Sequence, residues 1–195
     1  YAEALRLATI FNDMDGMREI QFAILPSLRA LENTEEQWQS VNNLLKSYVE
    51  SGDQRMQARA HFESALSSIH REEYQTAVEP LLRALTLAVQ AKDSLFIIRI
   101  LSTLALTYDG AGNTQQAFET YTEALTRTDH TAGAQGVRLE MLIRVGNIYL
   151  RRAQSSEAGR FYRAALSSAV AMKNKLAEGY LFIQLGHCAL GDGQV

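Results

Sequence analysis

Apolar residues recur at helical spacing along nearly the whole chain. In residues 97–108, Ile97, Ile98, Leu101, Leu104, Ala105 and Tyr108 fall at the i, i+3, i+4, i+7 intervals that build one buried helix face. No sustained apolar–polar alternation of period two appears, so strands are not expected. The polar breaks come at fixed intervals. Asp13, Asp53 and Asp93 stand 40 residues apart, and Asn174 follows 81 residues later. Asp and Asn suit a helix start, because the side-chain oxygen accepts from the free amides of the first turn. A second series lies between them, at Glu32-Asn33, Glu72-Glu73, Gly112-Asn113 and Ala153-Gln154. The pattern predicts helix, tight turn, helix, tight turn. The longest connection, TDHTAGAQG at residues 128–136, carries a one-residue slip in the period and is expected to be a mobile or exposed loop.

Alternate helices are copies of one another. GNTQQAFETYTEAL at residues 112–125 aligns with EEYQTAVEPLLRAL at 72–85 and AQSSEAGRFYRAAL at 153–166. ENTEEQWQSVNNLL at 32–45 is a worn fourth version. In register, Ala77, Ala117 and Ala158 coincide, as do Leu81, Tyr121 and Tyr162, and Ala84, Ala124 and Ala165. Leu85, Leu125 and Leu166 follow each time. A period of this length is the signature of a stacked array. Small residues let two helix backbones approach, and a large side chain fills the wedge beside them.

These residues resemble the tetratricopeptide-repeat family. Its first-helix signature, Leu-Gly with Tyr three residues on, appears as Leu104-Ala105 with Tyr108 and as Val145-Gly146 with Tyr149, and returns as Leu185-Gly186. Its second-helix signature, Ala, then an aromatic four residues on, then Ala-Leu, is the repeated stretch itself. The resemblance implies an all-α fold, a right-handed α-solenoid of stacked antiparallel helix pairs. It implies a single array over 1–195 cut from a longer chain: a partial unit 1–13, units at about 17–52, 57–92, 97–133 and 138–173, and a partial unit 178–195. The 40-residue unit exceeds the family's common length of about 34. It is similar to the long repeats of kinesin light chains, polarity adaptors and bacterial maltose-type regulators. The pattern is worn over 17–50, where Gln37 replaces the first Ala and Pro26 interrupts the first helix. Pro80, inside a second helix, lacks an amide donor and should bend it slightly at a solvent-facing position.

Charge and composition narrow the function. Nineteen basic and 22 acidic side chains leave a net charge of −3, which argues against direct contact with nucleic acid. The single cysteine, Cys188, excludes an intrachain disulfide and a cysteine metal site. It favours a reducing compartment, and a cytoplasmic location is expected. No apolar run approaches the roughly 18–20 residues needed to span a bilayer, so no membrane association is expected. His61 and His70 are nine residues apart and do not share a helix face; His130 and His187 stand alone. No nucleophile elbow or phosphate loop occurs. We therefore expect no catalysis, no cofactor and no metal, with Cys188 a buried structural thiol.

The resemblance implies that the first helices line a concave groove, the usual partner surface of a solenoid. Carried over, the family's groove positions fall on Arg59, Phe62 and His70 in one unit and Arg99 and Thr103 in the next. They continue at Arg144, Asn147 and Arg151, then Tyr180 and His187. Arginine offers a planar fork to a carboxylate, and asparagine can hold a peptide backbone. Arg99, Arg144 and Asn147 resemble part of the clamp by which some relatives seize a peptide C-terminus. That clamp's lysine and second asparagine have no counterpart here. The expected function is a protein-interaction module that binds a peptide or partner domain. The alternative is a regulatory segment of a larger bacterial signalling or transcription-regulating protein, sensing a partner or a small regulatory ligand.

Overall fold

The computed structural model describes residues 52–191, together with positions 39, 43, 46 and 47. The expected partial unit 1–13, with Asp13, and most of the unit 17–52, with Pro26, Glu32-Asn33 and Gln37, lie outside the described residues. So does the tail 192–195. Every regular element among the described residues is a helix, as the periodicity predicts. In chain order these are α1 (Gln54–His70), α2 (Tyr74–Gln90), α3 (Ser94–Gly110), α4 (Thr114–Thr128), α5 (Gln135–Arg151), α6 (Ser155–Ala171) and α7 (Lys175–Gly191). The chain divides into two compact units, residues 1–93 and 94–195.

The turns explain the spacing of the breaks. Glu72, Lys92, Gly112, Ala153 and Lys173 adopt left-handed backbone, with φ between 54° and 82°. The next amide then closes on a carbonyl five residues back: Glu73 on Ser68, Asn113 on Tyr108, Gln154 on Tyr149 and Asn174 on Ala169, at 2.8–3.0 Å. This closure satisfies carbonyls that the helix end leaves free and reverses the chain within three residues. Each break pair in the sequence is therefore one left-handed residue plus the first residue of the next turn. Two of the expected N-caps form. Asp53 Oδ1 accepts from the amides of Arg55 and Met56 at 2.9 and 3.2 Å. Asn174 Oδ1 accepts from Ala177 at 3.1 Å.

The slipped connection, Asp129 to Ala134, is largely exposed, but it is tied down at both ends. Arg138 Nη1 donates to Thr128 Oγ1 and pairs with Asp129 Oδ1, both at 2.8 Å, and Ala134 is buried. Pro80 is half-buried rather than solvent-facing, and α2 runs through it unbroken.

In the first unit α1 packs against α2. Ala58 and Ala65 on α1, and Ala77, Leu81, Ala84 and Ala88 on α2, are all but inaccessible. In the second unit α3 packs on α4, α5 on α6 and α6 on α7; α5 also touches α3 and α4. The repeated stripe is core, as the spacing predicts: Ala117, Tyr121, Ala124, Ala158, Tyr162 and Ala165 are fully buried. A Cβ built on Gly146 would come within 2.5 Å of the Tyr162 ring. The glycine is what lets α6 lie so close to α5. Phe118 meets Tyr149 edge-on at 5.5 Å, and Tyr149 stacks on Phe161 at 5.3 Å, which locks α4, α5 and α6 together.

Candidate functional site

The residues expected to bind a partner divide between the two units. Arg59, Phe62 and His70 lie on α1. Arg59 and His70 are exposed, but Phe62 is 6% exposed and belongs to the core of its unit. The other seven lie on the first helices of the second unit: Arg99 and Thr103 on α3, Arg144, Asn147 and Arg151 on α5, Tyr180 and His187 on α7.

Several of these seven hold the helices to one another. Arg151 Nη2 donates to Asp109 Oδ1 at 2.6 Å, tying α5 to α3. Asn147 Oδ1 accepts from Tyr162 at 2.6 Å and from Tyr180 at 3.2 Å, joining α5 to α6 and α7. Arg144 pairs with Glu140 one turn away at 3.2 Å. Thr103 donates its hydroxyl back to the Arg99 carbonyl at 3.0 Å. Arg99 is exposed and makes no ion pair among the described residues. Two of the three arginines in the second unit are thus already neutralised by a carboxylate. Arg99 is the cation free to meet an incoming anion. Sequence reasoning missed Asp109, because a lone acid at a helix end carries no local signal. Its partner is 42 residues away.

Under this face lie the two buried tyrosines of the second helices. Burial raises the Tyr162 hydroxyl far above the usual phenol range; Tyr180 and Cys188 add to the shift and Arg151 opposes it. Burial does the same to Tyr121, where Arg144 is the larger opposing influence and Asp109, Glu140 and Arg151 act more weakly. Tyr162 has Asn147 to donate to, whereas the Tyr121 hydroxyl is buried with no hydrogen-bond partner. The repeat register gives the reason. Forty-one residues before Asn147 stands Leu106, which offers no acceptor. In the first unit His61 is held below its ordinary range, chiefly by burial and then by Arg83, with Glu79 opposing.

Among the described residues no three His, Cys, Asp or Glu side chains gather around a common point. No helix there is long and apolar enough to cross a membrane. Cys188 is buried, 4% exposed.

Residues 56–129 match the tetratricopeptide repeat family model. The chain carries tetratricopeptide repeats. The fold is that of known repeat structures at low sequence identity. It superposes on BtubC from P. vanneervenii with a TM-score of 0.85 at 17% identity, covering 98% of this chain and 80% of that one. A signal transduction ATPase with numerous domains and a tetratricopeptide repeat sensor, from Pyrococcus horikoshii, gives 0.81 at 15% identity, over 91% of this chain and 28% of the other. Bacillus thuringiensis PlcR, solved with a peptide and DNA, gives 0.68 at 14% identity, over 88% and 61%. No curated protein sequence matches the chain. Seen as tetratricopeptide repeats, Gly146 under Tyr162 and Ala105 beside Tyr121 are successive versions of one crossing.

Proposed function

We propose that the chain is a non-catalytic module that binds a peptide or partner protein along the first helices of its second unit. The observation that carries this reading is the polar face of α3, α5 and α7. Its side chains are already cross-tied by Arg151–Asp109 and Asn147–Tyr180, so little ordering is left to be done on binding. Arg99 supplies unpaired positive charge on that face. Arg144 sits beside it in the repeat, since Arg99 occupies on α3 the place of Glu140 on α5, 41 residues on. A peptide that presents a carboxylate fits this pair: Arg99 binds it directly, and Arg144 shares its fork between ligand and Glu140. Arg59 and His70 on α1 offer a second, separate exposed polar face, while Phe62 acts as packing. That PlcR was solved with a bound peptide supports this class of ligand.

The test is affinity capture with the chain and with an Arg99→Glu, Arg144→Glu variant, matched for helicity by circular dichroism. A protein retained by the first and lost by the second supports the reading. Equal capture by both moves the site off this face.

A sensing role within a larger signalling protein is the second reading. It rests on the likeness to the repeat sensor of the P. horikoshii ATPase. A thermal shift produced by a small ligand, with no protein captured on either bait, favours it.

A further inference from the structure

The exposed face of α7 has a chemistry that the groove reading does not use. Leu176, Phe182, Ile183 and Leu190 are 59–89% exposed. Forty residues earlier the corresponding positions on α5 form an interface already described. Leu139 and Leu142, equivalent to Gly179 and Phe182, are each 5% exposed beneath α6. Gly146, equivalent to Gly186, lies against the Tyr162 ring. On α7 the same face is uncovered: nothing lies within 4 Å of a Cβ built on Gly179 or Gly186.

The repeat fixes what shape fits there, and one position departs from it. Consecutive helices joined by three-residue turns run antiparallel. Tyr162 sits over Gly146, so the residue seven positions on, Ala169, comes opposite Leu139, seven positions back. Both belong to one buried cluster. The pairing is therefore large on the first helix and small on the second. On α7 the large member is gone, because Gly179 replaces Leu139 and the buried Ile98 before it. Close packing then requires the incoming helix to supply the bulk. This chain's own second helices carry Ala88, Thr128 and Ala169 at that position, so none of them fills it.

We infer that α7 docks an amphipathic helix supplied by a partner protein, with an aromatic ring on Gly186 and a large aliphatic side chain over Gly179, seven residues after the aromatic. Phe182 packs between the two contacts. The surface is independent of Arg99 and Arg144, and the helix-in-groove mode needs only these apolar anchors.

The probe is a fluorescent 17-residue peptide with the α6 sequence, residues 155–171, made as such and with Ala169→Leu. Binding to the full chain is followed by anisotropy. The Ala169→Leu peptide should bind about tenfold tighter than the unaltered one, the value of one well-buried aliphatic side chain. Adding Tyr162→Ala to that peptide should remove binding. In the protein, Gly186→Leu should block both peptides, and Gly179→Leu should reverse the preference between them. Both substitutions point into open space, and unchanged circular dichroism confirms the fold. Equal affinity for the two peptides overturns the inference, as does binding indifferent to Gly186→Leu. Sedimentation showing a dimer that Phe182→Glu dissolves also overturns it, and assigns the face to a second copy.

Discussion

At the scale of single residues, two tyrosines in equivalent places make a natural experiment. Tyr162 donates to Asn147, whereas Tyr121 meets Leu106 in that place and leaves its hydroxyl buried and unbonded. A buried polar group without a partner costs what a bonded one recovers. Tyr162→Phe should therefore destabilise by about 1 kcal/mol, and Tyr121→Phe should be neutral or stabilising by a similar amount. Urea unfolding of both variants checks this, and equal losses would show that Tyr121 finds a partner after all. The tyrosine positions themselves were legible in the sequence, because the ring must recur wherever a small residue recurs. The contrast between their hydroxyls was not, since it depends on which side chain of the neighbouring helix lies over each ring tip.

At the scale of the element, the turns are the most regular feature of the chain and also the most strained. Glu72, Lys92, Ala153 and Lys173 hold φ near 55–60° in exposed positions where Gly112 and Gly133 do the same with no Cβ to accommodate. A left-handed residue that is not glycine costs about 1 kcal/mol. Replacing any of the four by Gly should thus stabilise by roughly 0.5–1 kcal/mol, and Gly112→Ala should destabilise by about as much. Thermal melting of the single variants reads both signs. The helix ends could be read from the sequence because Asp53 and Asn174 announce helix starts. The left-handed residues could not, because Glu, Lys and Ala give no hint of that conformation. They are held there by the amide that closes five residues back.

At the scale of the whole molecule, the buried phenols set a limit on pH. Their folded pKa values lie above the ordinary value near 10. Their neutral forms are therefore favoured by folding, and that stability is fully present below pH 10. It is lost as pH rises towards the folded values, because the unfolded chain ionises first. Urea midpoints should hold steady in this respect up to about pH 9.5. They should then fall by up to about 1.4 kcal/mol per pH unit for each tyrosine. Tyr162→Phe and Tyr121→Phe together should flatten that decline, and an unchanged slope would place its cause elsewhere.

The sequence by itself determined the helical class, the 40-residue repeat and the residues that pack at each crossing. These follow from spacing alone, since a helix has one period and a close crossing admits only small side chains. It also marked the first-helix residues of the candidate site. Only the tertiary structure decided which of those are free. Phe62 turned inward, Arg144 and Arg151 found carboxylates, and Arg99 stayed open, because charge pairing depends on contacts such as Asp109–Arg151 that bridge 42 residues. The bare face of α7 belongs to the same category. Gly179 and Gly186 are ordinary letters in the chain, and they become a receptor surface only because nothing packs where α6 packs on α5.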